Sequence, residues 1–163
     1  MCITLHPIPA NQRVILENLF TYYVYDMSEF MGWDPSELGC YTFNALTLDP
    51  YWQDADYFPY FIYVDEKIAG FALIRYYPID RSKLDVEQFF VLRKYKRLGI
   101  GMKALAQVLK LHPGEWQIRV LKENTLALRF WMAAVHAVVG DEFALTSEID
   151  IDLEMDFIRF SYE

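Results

Sequence analysis

Val14, Leu16, Leu19, Phe20, Tyr23 and Met27 recur at steps of roughly three and four residues, which predicts an amphipathic helix over residues 10–30. The alternation of residues 2–8 predicts a strand before it, closed by Pro7 and Pro9. Residues 31–57 lose all period and gather Gly32, Pro35, Gly39 and Pro50, so they read as one long irregular stretch. Two strands follow, 58–64 and 68–77, joined by Asp65-Glu66-Lys67 as a hairpin, then a strongly apolar third strand at 84–91. A helix over 100–111 is closed by Pro113-Gly114. Beyond it lie a strand at 115–121 and a helix at 124–138, with Asn124 or Thr125 as N-cap. Strands at 143–146 and 153–162 end the chain as an antiparallel pair.

The order β-α-β-β-β-α-β-α-β-β predicts a mixed α/β (α+β) fold, a central sheet flanked by helices. The absence of repeats, low-complexity tracts and Ser/Gly linkers predicts one domain over residues 1–163. Apolar residues form 54 % of the chain, enough for one substantial core.

Charge narrows the partners. With 23 acidic and 15 basic residues the net charge is −8, which disfavours nucleic acid and suits solubility or a cationic substrate. Cys2 and Cys40 are too few for a disulfide scaffold, and neither they nor His6, His112 and His136 have metal-ligand spacing. The first residues lack a basic segment followed by an apolar one, and no stretch is apolar enough to span a bilayer. The expectation is a cytoplasmic protein with no metal and no membrane partner.

Against that acidic background, one segment concentrates positive charge. The apolar strand ending Phe89-Phe90-Val91 runs into Leu92-Arg93-Lys94-Tyr95-Lys96-Arg97-Leu98-Gly99-Ile100-Gly101-Met102, where a basic lead-in and two glycines open a helix. The first-turn N–H groups of a helix have no intrahelical acceptor, and the macrodipole favours an anion beside them. Successive amides of this kind form a nest for a pyrophosphate. The segment has neither the Lys-Ser/Thr ending of a Walker A loop nor a third glycine in GxGxxG register. A tight structural turn is the plain alternative.

Lys96-Arg97-Leu98-Gly99-Ile100-Gly101 resembles the Q/R-x-x-G-x-G/A signature of the GNAT superfamily of N-acetyltransferases, with Lys in the place of Gln or Arg. Asn124-Thr125-Leu126-Ala127-Leu128-Arg129-Phe130-Trp131, at the expected distance, resembles the second signature, N-x-x-A-x-x-ϕ-Y. The match covers about residues 58–135. Phe89-Phe90-Val91, Lys94-Tyr95-Lys96-Arg97, Gly114-Glu115-Trp116 and Phe130-Trp131 look like a subgroup of predicted acetyltransferases.

The resemblance implies a mostly antiparallel sheet splayed between its fourth and fifth strands, with acetyl-CoA as co-substrate wedged in the gap. Phe90, Val91 and Leu92 would meet the pantetheine, and Lys96 with the amides of Arg97, Leu98, Gly99, Ile100, Gly101 and Met102 the pyrophosphate. Asn124, Phe130 and Trp131 would complete that site, Asn124 orienting the pantetheine arm or simply capping its helix. Dimerisation is common in the family, so a homodimer is an expectation too.

Transfer of an acetyl group to an amine calls for a base, because an alkylammonium has a pKa of ~10.4 by analogy with Lys. Asp85 and Glu87 lie two apart on one strand and so share a face, with Gln88 on the other. Both carboxylates are candidates, Glu87 preferred as nearer the thioester. Trp131 stands where the family often has a Tyr that protonates the leaving thiolate, so Tyr95, Tyr162 or water would serve instead, or catalysis is lost. Tyr25, Asp26, Glu29 and Trp33, carboxylates beside aromatic faces, are the candidate acceptor pocket for a cation. Two functions follow: acetyl transfer to a primary amine of a small molecule or protein by direct attack in a ternary complex, or a non-catalytic acyl-CoA-binding sensor or interaction module.

Overall fold

In the computed structural model, which describes residues 1–163, the first helix is α1, Arg13–Met31, preceded by a single tight turn at Ala10–Gln12. The stretch after it is irregular as far as residue 44. It then coils into a short turn at Ala45–Leu48, where the Asn44 side chain accepts from the Leu46 N–H, and into a one-turn helix α2, Pro50–Gln53. Proline at the first helical position costs α2 no hydrogen bond, since that N–H would be unpaired anyway.

The strands are β1 Ile3–Pro7, β2 Tyr57–Val64, β3 Lys67–Tyr76, β4 Leu84–Val91, β5 Gly114–Leu121, β6 Phe143–Asp150 and β7 Leu153–Tyr162. Helices α3, Ile100–Leu111, and α4, Thr125–Val139, follow β4 and β5. The sheet runs β1-β2-β3-β4-β5-β7-β6, and every neighbouring pair is antiparallel except β4–β5. This is the mixed, mostly antiparallel architecture expected.

Two hairpin turns are tighter than the sequence suggested. Asp65 and Glu66 (φ 45° and 69°) join β2 to β3 alone, and Ile151 and Asp152 (φ 44° and 65°) join β6 to β7. Two central residues of positive φ are the signature of a type I′ turn, whose twist matches that of the strands. Strand β6 runs to Asp150 rather than 146. It is an outer strand exposed over most of its length, so no burial imposed an alternating pattern on residues 147–150.

The sheet is covered on both faces. On one, α3 and α4 bring Leu105, Val108, Leu109, Trp131, Ala134 and Val135 against Val86, Trp116, Ile118 and Ile158. On the other, Leu16, Phe20 and Val24 of α1, with Leu48 and Tyr51 from the short turns, close over Phe61, Phe71, Leu73 and Phe90. Much of the aromatic content is therefore core.

Candidate active site

Strands β4 and β5 pair only over Leu84↔Trp116, Asp85↔Gln117 and Val86↔Ile118. From Glu87 onward β4 stays with β3, while Arg119–Leu121 of β5 stay with β7. The break coincides with a bulge: Ile74 opposes Val86 but Leu73 opposes Gln88, leaving Glu87 as the extra residue. An extra residue bends its strand and increases the local twist. Here the bend separates β4 from β5 and opens a cleft of about 1720 Å³. The bulge also resets side-chain parity, so Gln88 shares a face with Leu73, which packs under α1. The expectation that Gln88 points away from Glu87 fails for that reason.

The junction beneath the cleft is a buried ionic network. Asp85, wholly buried, receives the Arg119 fork at 3.0 Å to each oxygen and Arg75 Nε at 3.1 Å. Gln117 Nε2 adds a longer contact of 3.4 Å. Arg119 reaches on to Asp150 at 2.6 Å, and Tyr77 donates its hydroxyl to that same carboxylate at 2.9 Å. Two guanidiniums leave Asp85 neither solvent access nor a free position for an incoming amine, and it does not line the cleft. The sequence-based candidacy of Asp85 as base is corrected on that ground: it is a structural anion.

Glu87 stands differently. Its Oε2 takes Arg75 Nη1 at 2.9 Å and the Tyr51 hydroxyl at 3.0 Å, and the residue lines the cleft. No protein donor meets Oε1. Burial pushes its carboxyl above the ordinary glutamate range, opposed by Arg75 and by the bond from Tyr51. Tyr23, also lining the cleft, is pushed upward by burial and by the charge of Glu87, so it stays a neutral phenol.

At the other end, Arg97 and Gly99 adopt left-handed backbone (φ 64° and 74°) on entry to α3. Alternation of this kind turns successive N–H groups to one side. The amides of Arg97, Leu98, Gly99, Ile100, Gly101 and Met102 find no acceptor in the protein; the first paired one is Lys103, to Gly99 O at 3.2 Å. A Cβ on Gly99 would meet nothing within 4 Å, so the space beside that residue is open. Gly101 answers a different need. A Cβ there would fall 2.7 Å from Phe130 Cζ, so this glycine admits an aromatic ring of α4, not a ligand. Phe130 in turn packs edge-on against Trp131, whose ring meets Phe89 at 5.0 Å. Asn124 caps α4 by accepting the Ala127 N–H at 3.1 Å, and its residue borders the cleft.

The sequence model of the acetyltransferase (GNAT) family matches residues 22–134, the span that supplies most of the residues lining this cleft. The chain belongs to the GNAT acetyltransferase family. Its fold is shared by solved GNAT structures at low identity. An acetyltransferase from Thermus thermophilus superposes with a TM-score of 0.73 at 13 % identity, covering 99 % of this chain and 97 % of that one. A GNAT acetyltransferase from Elizabethkingia anophelis with acetyl-CoA bound gives 0.60 at 18 %, covering 98 % and 97 %. The PaiA N-acetyltransferase of Thermoplasma acidophilum in complex with coenzyme A gives 0.66 at 12 %, covering 99 % and 100 %. No curated protein matches the sequence.

Within this GNAT cleft, the structure gathers most of the residues singled out from sequence. Glu87, Phe90, Val91, Lys96, Arg97, Gly99, Ile100, Gly101, Met102, Asn124, Phe130 and Trp131 border it, as do Asp26, Glu29 and Trp33. Three more do not. Leu92 packs beneath α1, Leu98 is half-exposed beyond the cleft, and Tyr25 lies outside it, meeting edge-on the Tyr41 ring that lines it. Asp26 is no free carboxylate either, since it pairs with Arg93 at 3.0 Å and Lys96 at 3.7 Å. The general-acid alternatives separate as well: Tyr95 borders the cleft, whereas Tyr162 lies at the far end of β5 opposite Gly114.

Sequence reasoning missed Arg75, Arg119, Tyr23 and the role of Tyr51. For Arg119 a signal existed. Trp116, Ile118 and Val120 occupy one face of β5, which leaves Gln117 and Arg119 together on the other.

Proposed function

We propose that this GNAT protein is an N-acetyltransferase that moves an acetyl group from acetyl-CoA to a primary amine within a ternary complex. One observation carries the reading: a row of six unpaired amides, five of whose residues line the cleft, shares that cleft with a carboxylate that has a free oxygen. The amide row, with Lys96 and Arg97 beside it, fits a diphosphate. Bound acetyl-CoA supplies the activated acyl group as a thioester. Glu87 Oε1 takes the proton of the attacking amine, while Arg75 and Tyr51 fix the carboxylate by its other oxygen. A carboxyl raised by burial is a better base than an exposed one, and Arg75 opposes the rise. The cleft lining also carries Glu29, Trp33 and Asp34, which suits an acceptor bearing positive charge.

Trp131 favours a second reading. It is buried and packed edge-on against Phe89 and Phe130 where the family often has Tyr, and an indole gives up no proton at neutral pH. Thiolate, with a free thiol pKa of ~8.5, departs tolerably without an acid, and Tyr95 borders the cleft as another donor. Were neither sufficient, the protein would hold acyl-CoA without turnover. Free-thiol release from acetyl-CoA across a panel of amines decides: turnover that Glu87→Gln abolishes supports the enzyme. Thermal protection by CoA with no turnover supports the binding module.

A further inference from the structure

Asp26, in the last third of α1, holds Arg93 Nη2 on one oxygen and Lys96 Nζ on the other, at 3.0 and 3.7 Å. All three residues border the cleft. Arg93 and Lys96 belong to the basic lead-in to the amide row, and their side chains are 74 % and 50 % exposed. Pairs this wet exchange partners readily, because water and salt screen the attraction. Glu29 and Asp34 border the same cleft and engage no cation, and Arg97 engages no carboxylate. The carboxylate that faces the basic turn is therefore Asp26, from a different element of the fold. An anion on the amide row and Asp26 would draw on the same two cations.

We infer that Asp26 is an internal competitor for the phosphates of CoA. Arg93 and Lys96 pass from the Asp26 carboxylate to the phosphates on binding and return to it as spent CoA leaves. Asp26 thus holds the affinity down and quickens product release. The inference rests on the reading of this cleft as a CoA site. It also differs in sign from a tether that presents the two cations, since loss of a tether would weaken CoA binding.

Calorimetric titration of the full chain with CoA tests it. Asp26→Asn is expected to bind CoA about two- to fivefold more tightly, the worth of an exposed ion pair turned into affinity. The gain should reside mostly in slower dissociation. In an Arg93→Ala/Lys96→Ala background the same substitution is expected to change affinity little, because the contested cations are gone. Equal or weaker binding by Asp26→Asn, or a gain that persists undiminished in that background, would overturn the inference. Asp26→Ser carries the same test if the Asn variant melts early. Wild-type protein that fails to bind CoA would remove the functional reading itself, a result distinct from wild type binding with Asp26→Asn unchanged.

Discussion

Tyr51 donates its hydroxyl to Glu87 Oε2 at 3.0 Å, joining a one-turn helix to a strand bulge 36 residues later. The bond fixes the β4 carboxylate that lines the cleft, and on the proposed reading Tyr51 positions the base without touching substrate.

The low-pH limb of the rate should therefore report Glu87. Because burial raises this carboxyl, the base is lost to protonation at a pH above the ordinary glutamate range, and activity rises as pH rises through that value. The Tyr51 bond lowers the pKa, so Tyr51→Phe moves the limb upward. A pH series of thiol release by wild type and Tyr51→Phe measures the displacement.

Glu87→Gln should cut kcat by about 10²- to 10⁴-fold, the usual worth of a positioned base. CoA affinity should hardly change, since Glu87 lies within β4 and the amide row follows that strand's end. Turnover and calorimetry on one preparation check both halves.

The ionic junction is a matter of stability. Arg119→Met would leave Asp85 with Arg75 and the longer Gln117 contact, and Asp150 with only the Tyr77 hydroxyl. Removing one partner from a buried pair costs about 3–5 kcal/mol. Denaturant unfolding should show a loss of that size, whereas a loss below about 1 kcal/mol would mean that the network is better hydrated than its burial implies.

Gly101→Ala places a methyl 2.7 Å from Phe130 Cζ and should displace that ring from Trp131. Overpacking of this kind costs about 1–3 kcal/mol, partly offset by roughly 1 kcal/mol of helix propensity. Adding Phe130→Leu should recover part of the loss, and thermal melts of the two singles and the double reveal the coupling.

Asn124→Ala should cost about 1 kcal/mol through loss of the cap to Ala127. Asn124→Asp keeps the acceptor and lacks the amide donor. It should restore stability, and a remaining defect in CoA affinity would assign the side-chain amide to the ligand.

Local signals carried most of the fold. Apolar period placed α1, α3 and α4, and the strand-turn-helix at Val91–Gly101 was legible because amides, glycines and positive charge occur together there. What stayed hidden arises between elements. A bulge at Glu87 leaves no mark in composition, yet it turns Gln88 over and opens the cleft. Asp85 and Glu87 look equivalent along the strand; only Arg119, 34 residues after Asp85, separates the buried anion from the available one. Gly101 reads as a ligand glycine until the ring of Phe130, from the next helix, is seen against it. Asp26 reads as a free carboxylate until α1 comes to lie beside Arg93 and Lys96.

Backbone amide NMR during a titration with CoA tests the central claim most directly. The account predicts that the N–H signals of Arg97 to Met102, without an acceptor in the free protein, shift strongly and become protected from exchange at saturation. Saturable CoA binding that leaves those six signals unmoved, with shifts gathered elsewhere on the sheet, would contradict it.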